Sequence, residues 1–258
     1  MSHRPRKRFG QHFLTDGGVV DAILDAVAVQ ADDVVVEIGP GRGAMTDALA
    51  AESGDFHAIE LDRDLARALR QRYQDNATVT VHEGDVLAFD FSALGDELRV
   101  VGNLPYNIST PLLFHLMQSR RHVRDMTFML QKEVVDRMAA EPGSKTYGRL
   151  TVMLSVGFIV QPLFDVPPEA FDPPPAVNSS VVQLRPLDEH TFRIDDHARF
   201  SQLVAAAFNQ RRKTLRNALS QFADSNVFER AGVDSSLRAE ALSTDDFVRL
   251  ANALDGQN

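Results

Sequence analysis

Apolar and polar positions change period repeatedly along the first part of the chain, and the changes mark strands alternating with helices. Val34, Val35 and Val36 form a short β-branched run, the pattern of a strand buried on both faces of a parallel sheet. Phe56 to Glu60, Thr78 to His82, Arg99 to Gly102 and Asp125 to Leu130 read as further strands. Between them the apolar spacing becomes helical. Val19, Val20, Ile23, Leu24 and Val27 share one helix face behind a capping Asp16, and Met45 to Glu52 is rich in helix formers. Asp62 to Tyr73 turns Leu65 and Leu69 inward and leaves Arg63, Arg67, Arg70 and Arg72 on a solvated face. Thr110 and Pro111 have the N-cap and first-turn chemistry of a helix over 111–119, and 132–139 reads as another.

Later the pattern loosens. Residues 141–148 have the composition of a mobile loop, 150–156 are apolar without a decisive period, and 157–164 with 179–184 resemble a closing antiparallel pair. The prolines of 166–175 stiffen a connector that holds Phe171 at the surface or packs it as a core residue. Residues 186–196 turn polar and acidic and mark a boundary. Beyond it come helices over 197–208, 213–222, 227–231 and after Ser243, where Ser243 and Asp246 form a capping-box pattern. The expectation is an α/β chain: a doubly wound, Rossmann-like sheet over 1–187 and a small all-α domain over 188–258.

Composition removes several chemistries. With 258 residues the chain is long enough for a large and a small domain, and with no cysteine it has no disulfides, thiolate metal sites or cysteine nucleophiles. Base-carbon methylation through a cysteine adduct is excluded with them. No apolar run reaches the roughly 20 residues that span a membrane, so a cytoplasmic protein is expected. The formal charge of −9 argues against a nucleic-acid partner, but the basic residues are clustered. Arg4, Arg6, Lys7 and Arg8 lie in an acid-free arm, and Arg199, Arg211, Arg212, Lys213 and Arg216 in an acid-free stretch of the second domain. Two such segments in an acidic chain point to a surface that follows phosphates rather than to solvated faces.

The candidate chemistry gathers at strand ends. Gly39, Gly41 and Gly43 remove three side chains between a strand and a helix, so the backbone can turn sharply and approach a ligand. Gly39, Gly41 and Ala44 also satisfy the loose dinucleotide fingerprint, yet Glu37 places a carboxylate where a pyrophosphate would be repelled. A cofactor carrying a sulfonium and no phosphate meets no such objection. Glu60 ends the next strand, placed to hold ribose hydroxyls. Asp85 is an acceptor for an exocyclic amine or, alternatively, the cap of the following turn. Asn103, Leu104, Pro105 and Tyr106 form an exposed strand-to-helix turn. Pro105 keeps Leu104 extended and aims its carbonyl outward, so the Asn103 amide oxygen and that carbonyl offer two acceptors for one –NH2 group beside a stacking plate, Tyr106.

These residues, with Arg8-Phe-Gly-Gln-His-Phe-Leu14, Gly84-Asp85, Phe171-Asp-Pro-Pro-Pro175 and Phe208-Asn-Gln-Arg-Arg-Lys-Thr214, resemble the S-adenosylmethionine-dependent rRNA adenine N6-dimethyltransferases over nearly the whole chain, in particular their bacterial small-subunit branch. The resemblance implies a class I methyltransferase sheet and S-adenosyl-L-methionine as cofactor. It places cofactor contacts at His12, Leu14, Gly39, Glu60, Asp85 and Asn103, and catalysis at Asn103 to Tyr106 with Phe171 as a second stacking plate. Position 12 is often asparagine in that family, so the resemblance carries a backbone contact there more directly than a side-chain one. The implied substrate is a pair of adjacent adenosines in the 3′-terminal hairpin loop of 16S rRNA, each dimethylated within the assembling 30S subunit. No metal is implied, and a monomer is expected. Three alternatives remain at this level: a large-subunit rRNA adenine methyltransferase of the antibiotic-resistance type, a non-catalytic assembly factor, and an NAD-dependent oxidoreductase.

Overall fold

The computed structural model describes residues 12–106 and 108–254. In chain order the strands are β1 (Phe13–Leu14), β2 (Val34–Ile38), β3 (Asp55–Glu60), β4 (Val79–Glu83), β5 (Leu98–Asn103), β6 (Val123–Gln131), β7 (Phe158–Val166), β8 (Phe171–Asp172) and β9 (Ser179–Pro186). The α-helices are α1 (Gly17–Val27), α2 (Thr46–Glu52), α3 (Arg63–Arg72), α4 (Ser109–Gln118), α5 (Lys132–Met138), α6 (Arg149–Ser155), α7 (His197–Asn209), α8 (Leu215–Ala218), α9 (Ser225–Ala231) and α10 (Thr244–Leu254).

Seven strands form one sheet in the order β4-β3-β2-β5-β6-β9-β7. The pairs from β4 through to β6 are parallel, and β9 runs antiparallel to β6. The strand order reverses between β2 and β5, so the crevice outside their carboxyl ends is the ligand position this topology provides. Gly102 permits the close packing there, since a Cβ on it would lie 2.7 Å from the Ile38 carbonyl oxygen. Val35, Val36, Phe56, Leu98 and Val100 are fully buried, as strands covered on both faces require.

At the amino-terminal ends of the central strands a buried ion network ties the first helix down. Arg99 donates to Asp125 and Asp33 and also to the carbonyls of Val27 and Ala28, at 2.5 and 3.1 Å, which end α1. Burial alone would raise the Asp33 carboxyl, but the bonds from Arg99 and the Gln30 amide hold it below its ordinary value.

The chain divides into two compact units, one of residues 1–135 and 161–186, the other of 136–160 and 187–258. This differs from a single cut after residue 187, and the reason is packing. Tyr147 and Val152 share the apolar core of Phe200, Leu203, Phe228 and Phe247, so the ambiguous 150–156 stretch, which is α6, belongs with the C-terminal helices. The loop before it is bonded to the 240–242 segment. Gly143 N–H donates to the Glu240 carbonyl at 2.7 Å, and the buried Tyr147 hydroxyl to that of Leu242 at 2.7 Å. The expected 213–222 helix shortens to α8, while Ser243 and Asp246 make both bonds of their capping box.

Candidate active site

The glycine loop follows β2 as its side-chain spacing predicts. Gly39, Gly41 and Gly43 have φ of 67°, 60° and 85°, a left-handed conformation that disfavours any side chain. A Cβ on Gly41 would also press on the Phe13 ring at 3.1 Å. Phe13 is there because β1 pairs with β8, Leu14 opposite Phe171 and Phe13 opposite Asp172. Arg42 clamps this ribbon to the loop, its guanidinium 4.2 Å from the Phe13 ring centroid and 3.1 Å from Asp172 Oδ2.

One cleft in the first unit is lined by His12, Leu14, Gly39, Glu60, Asp85 and Asn103, together with Leu104, Pro105 and Tyr106. Every expected cofactor position therefore meets in a single cavity at the strand ends, with Glu37 and Asp62 in its wall. Glu60 accepts from the Gly41 N–H at 3.1 Å and the Asp62 N–H at 2.8 Å, one through each carboxylate oxygen, leaving lone pairs for further donors. Burial raises its pKa, and those amide bonds oppose the shift. Glu37 is buried more completely and its carboxyl is pushed up to about 7, against the opposing hydrogen bond from the Thr46 hydroxyl at 2.6 Å. Asp85 is exposed and caps the following 3-10 turn through Oδ1, which accepts from the Leu87 N–H at 2.9 Å, so the capping reading holds while the residue still lines the cleft.

Asn103 ends β5, and its amide nitrogen donates to the His12 carbonyl at 3.0 Å. Because a carbonyl only accepts, this bond fixes the amide orientation and leaves Oδ1 as an acceptor. Among the described residues, the Leu104 carbonyl likewise receives no hydrogen bond, while the Leu104 side chain is buried and its N–H is tied to the Met129 carbonyl. Tyr106 is half-buried, its hydroxyl 2.8 Å from Ser179 Oγ, and burial raises its pKa, so it is a neutral plate. The helix that follows begins at Ser109, not Pro111, with the Ser109 hydroxyl bonded back to the Pro105 carbonyl.

Two expectations change. Phe171 is 4% exposed and packs with Leu14, Val166 and Val181, so of the two readings of the proline-rich connector the core phenylalanine is correct, and Phe171 does not line the cleft. Arg211 is spent within its own unit, on Glu240 at 3.2 Å and on the carbonyls of Lys145 and Tyr147 at 2.7 and 3.1 Å. Arg212, Lys213 and Arg216 remain exposed, and Arg216 lies 3.5 Å from the Ser235 hydroxyl and adds its charge to the surroundings of Asp234. Arg4, Arg6, Lys7 and Arg8 lie outside the described residues. Arg42, Thr46 and Ser179 are functional neighbours that the sequence patterns do not single out. Arg42 stands inside the glycine loop, whereas Ser179 reaches Tyr106 across 73 residues and leaves no local signal.

Among the described residues, no group of three or more histidine, aspartate or glutamate side chains is arranged to hold a metal, and no helix is long and apolar enough to cross a membrane. The donor set of the cleft suits a cationic nucleoside. Glu37, Glu60, Asp62 and Asp85 outnumber the one arginine of the cleft, Arg42, which Asp172 engages, and the glycine loop offers close backbone approach.

A doubly wound sheet with β9 inserted antiparallel beside β6, and an acid-lined cleft at its switch point, is the architecture of class I methyltransferases. Residues 2–256 match the ribosomal RNA adenine dimethylase family. The chain is 55% identical to "Ribosomal RNA small subunit methyltransferase A" of Aromatoleum aromaticum, covering 97% of this chain and 94% of that protein. The same-named protein of Thiobacillus denitrificans is also 55% identical, with 95% and 96% covered. Among solved structures, a dimethyladenosine transferase from Plasmodium falciparum superposes with a TM-score of 0.81 at 26% identity, covering 93% and 96%. The 23S rRNA methyltransferase ErmE shares the fold, with a TM-score of 0.74 at 23% identity over 94% and 99%. The chain belongs to the ribosomal RNA adenine dimethylase family.

Proposed function

We propose that this protein dimethylates N6 of adenosines in small-subunit ribosomal RNA with S-adenosyl-L-methionine as methyl donor. The observation that carries the reading is the pair of acceptors, Asn103 Oδ1 and the Leu104 carbonyl, at the rim of the acid-lined cleft. The adenine amine is a poor nucleophile because its lone pair is conjugated with the ring. Acceptors for both N–H bonds favour a more pyramidal nitrogen with its lone pair turned toward the donor.

Glu60 would hold the ribose hydroxyls, Asp85 the adenine amine, and His12, Leu14 and Gly39 the remaining backbone contacts of the cofactor, which supplies an already activated methyl group. Asn103 and Leu104 take no proton, so the one released after transfer leaves to water. The target base must leave its stack to reach this rim, and Tyr106 would replace part of that stacking, worth ~1–3 kcal/mol.

The substrate in this reading is the pair of adjacent adenosines in the 3′-terminal hairpin loop of 16S rRNA, met within the assembling 30S subunit by a cytoplasmic monomer. Residues 188–258, with the 136–160 segment that packs on them, serve as the RNA-recognition unit. Arg212, Lys213 and Arg216, with Arg4, Arg6, Lys7 and Arg8 of the arm, would contact phosphates. Incubation with methyl-labelled S-adenosylmethionine and immature small subunits, followed by mapping of the modified bases, tests this directly. Label on two adjacent hairpin adenosines is the expected result; label elsewhere, or none, would refute it.

A further inference from the structure

His12 occupies a junction that its assignment as a cofactor contact does not explain. Its carbonyl accepts from Asn103 Nδ2 at 3.0 Å, its ring Nδ1 lies 2.8 Å from the Pro173 carbonyl, and its ring stacks on Tyr106 with centroids 5.7 Å apart and planes 25° apart. Since a carbonyl is only an acceptor, Nδ1 carries the proton and donates. One residue is thus joined to both members of the turn that would receive the target base, Asn103 and Tyr106, and to the segment after β8. Residue 12 is itself held by its neighbours. Phe13 and Leu14 are paired in β1 with β8, and Arg42 grips Phe13 and Asp172 together.

The amide of an asparagine is nearly symmetric in shape, and its chemistry depends on which end faces the substrate. With Nδ2 toward the base, Asn103 would present a donor to a donor amine and could not assist transfer. The His12 carbonyl is the contact that forbids this flip. That carbonyl moves with the backbone at 12, which the β1 pairing holds from the following residues and the imidazole holds from the other side, through the bond to Pro173 and the stack on Tyr106. The stack also fixes the plane against which a base would lie, at a centroid separation within the range of favourable aromatic pairs.

Resting on the methyltransferase reading above, we infer that the His12 side chain is a positioning residue for the transfer step: it holds the Asn103 amide with its oxygen toward the substrate and sets the plane of Tyr106. It touches neither the accepted amine nor the transferred methyl, so its loss lowers turnover more than it weakens the cofactor's contact with the residue-12 backbone.

The experiment compares wild type with His12→Ala and His12→Asn, measuring kcat, the Kd for S-adenosylmethionine by calorimetry, and side-chain amide exchange of Asn103 in 15N-asparagine-labelled protein. His12→Asn keeps a donor for the Pro173 carbonyl. In wild type the Asn103 amide protons should exchange slowly, because one is bonded. His12→Ala should speed that exchange and lower kcat about ten- to a hundredfold, the scale of a small misplacement of a catalytic group, with the cofactor Kd within about threefold. His12→Asn should recover the slow exchange and part of kcat, since it restores the bond to Pro173 but not the stack on Tyr106. Unchanged exchange and kcat in His12→Ala would overturn the inference, as would faster exchange at normal kcat, or a loss confined to cofactor affinity. Amide exchange needs no substrate. A wild type with protected Asn103 and no transferase activity would therefore overturn the methyltransferase reading, and the inference resting on it, while leaving the His12–Asn103 linkage established.

Discussion

The Thr46 hydroxyl donates to Glu37 Oε2 over 2.6 Å, joining the first turn of α2 to a carboxyl that is 1% exposed in β2. Burial raises the Glu37 pKa from an ordinary 4.5 to about 7; the Thr46 bond opposes this, and the negative charges of Glu60 and Asp47 add to it. A carboxyl raised in the folded state contributes stability that is full below its ordinary pKa and lost as pH rises through the folded value. Glu37→Gln keeps an acceptor for Thr46 but cannot ionise. In ligand-free protein the variant should gain on wild type between about pH 5 and 8, by up to about 3 kcal/mol if the whole shift is expressed. Melting temperatures across that range check it, and a gap independent of pH would show that Glu37 titrates normally.

The Arg99 network predicts a second stability effect, remote from the cleft. Arg99→Ala would leave Asp125 buried without its cation, leave Asp33 with only the half-exposed Arg124 at 3.0 Å, and strip the α1 carbonyls of Val27 and Ala28 of a donor. Breaking a buried pair from one side costs about 3–5 kcal/mol. Urea unfolding should show a loss of that order; a loss below about 1 kcal/mol, the scale of an exposed pair, would mean that water reaches the network.

The basic segment of the second unit separates into two behaviours. Arg211 holds the 141–147 loop, so Arg211→Ala should lower stability with a small effect on the salt slope of RNA binding. Charge reversal at Arg212 and Lys213 should leave stability and cofactor affinity intact and weaken binding to the ribosomal substrate. Its dependence on salt should flatten by about one log–log unit for each phosphate no longer neutralised. Affinities at several salt concentrations decide it. Equal slopes for wild type and the Arg212/Lys213 variant would leave this segment no role in holding phosphates.

These residues also show how much of the structure is legible in the chain. The β-branched run at 34–36 and the Asp16 and Ser243 caps act over a few residues, and each appears where its local chemistry requires. Gly39, Gly41 and Gly43 announce a left-handed turn, and the acids around it announce a phosphate-free ligand. Phe171 is ambiguous in sequence because its prolines fix the backbone without saying which way the ring turns; that is decided by pairing with Leu14, far earlier in the chain. Arg211 and Arg212 look alike in sequence, and only Glu240 and two distant carbonyls set them apart. The 136–160 segment follows the same logic, since the partners that bury Tyr147 and Val152 come much later in the chain.

Glu60 and Asp85 should differ on substitution although both line the cleft. Glu60→Ala removes a carboxylate that also organises the Gly41 and Asp62 amides, so it should weaken S-adenosylmethionine binding and lower stability together. Asp85→Ala removes an exposed acceptor and one cap on a short turn, a stability cost of about 1 kcal/mol, while weakening cofactor binding. Calorimetry and thermal melts on both variants test this. Unchanged cofactor affinity would remove the residue concerned from the binding site.

Asn103→Ala isolates the transfer step. The residue is partly exposed at the end of β5, and among the described residues its side chain makes one hydrogen bond, to the His12 carbonyl, so folding should lose about 1 kcal/mol. Transfer should suffer far more, because the variant loses the acceptor that orients the amine while Leu104 alone remains. Loss of a preorganised polar contact to the reacting group costs on the order of 100- to 1,000-fold in kcat. The substrate Kd should change little, since Tyr106 and the basic surface are untouched. Single-turnover rates with saturating S-adenosylmethionine, alongside substrate Kd and a melting curve, separate these effects. Near-normal single-turnover transfer by a folded Asn103→Ala protein would remove Asn103 from the chemistry and leave the Leu104 carbonyl as the sole acceptor at the rim.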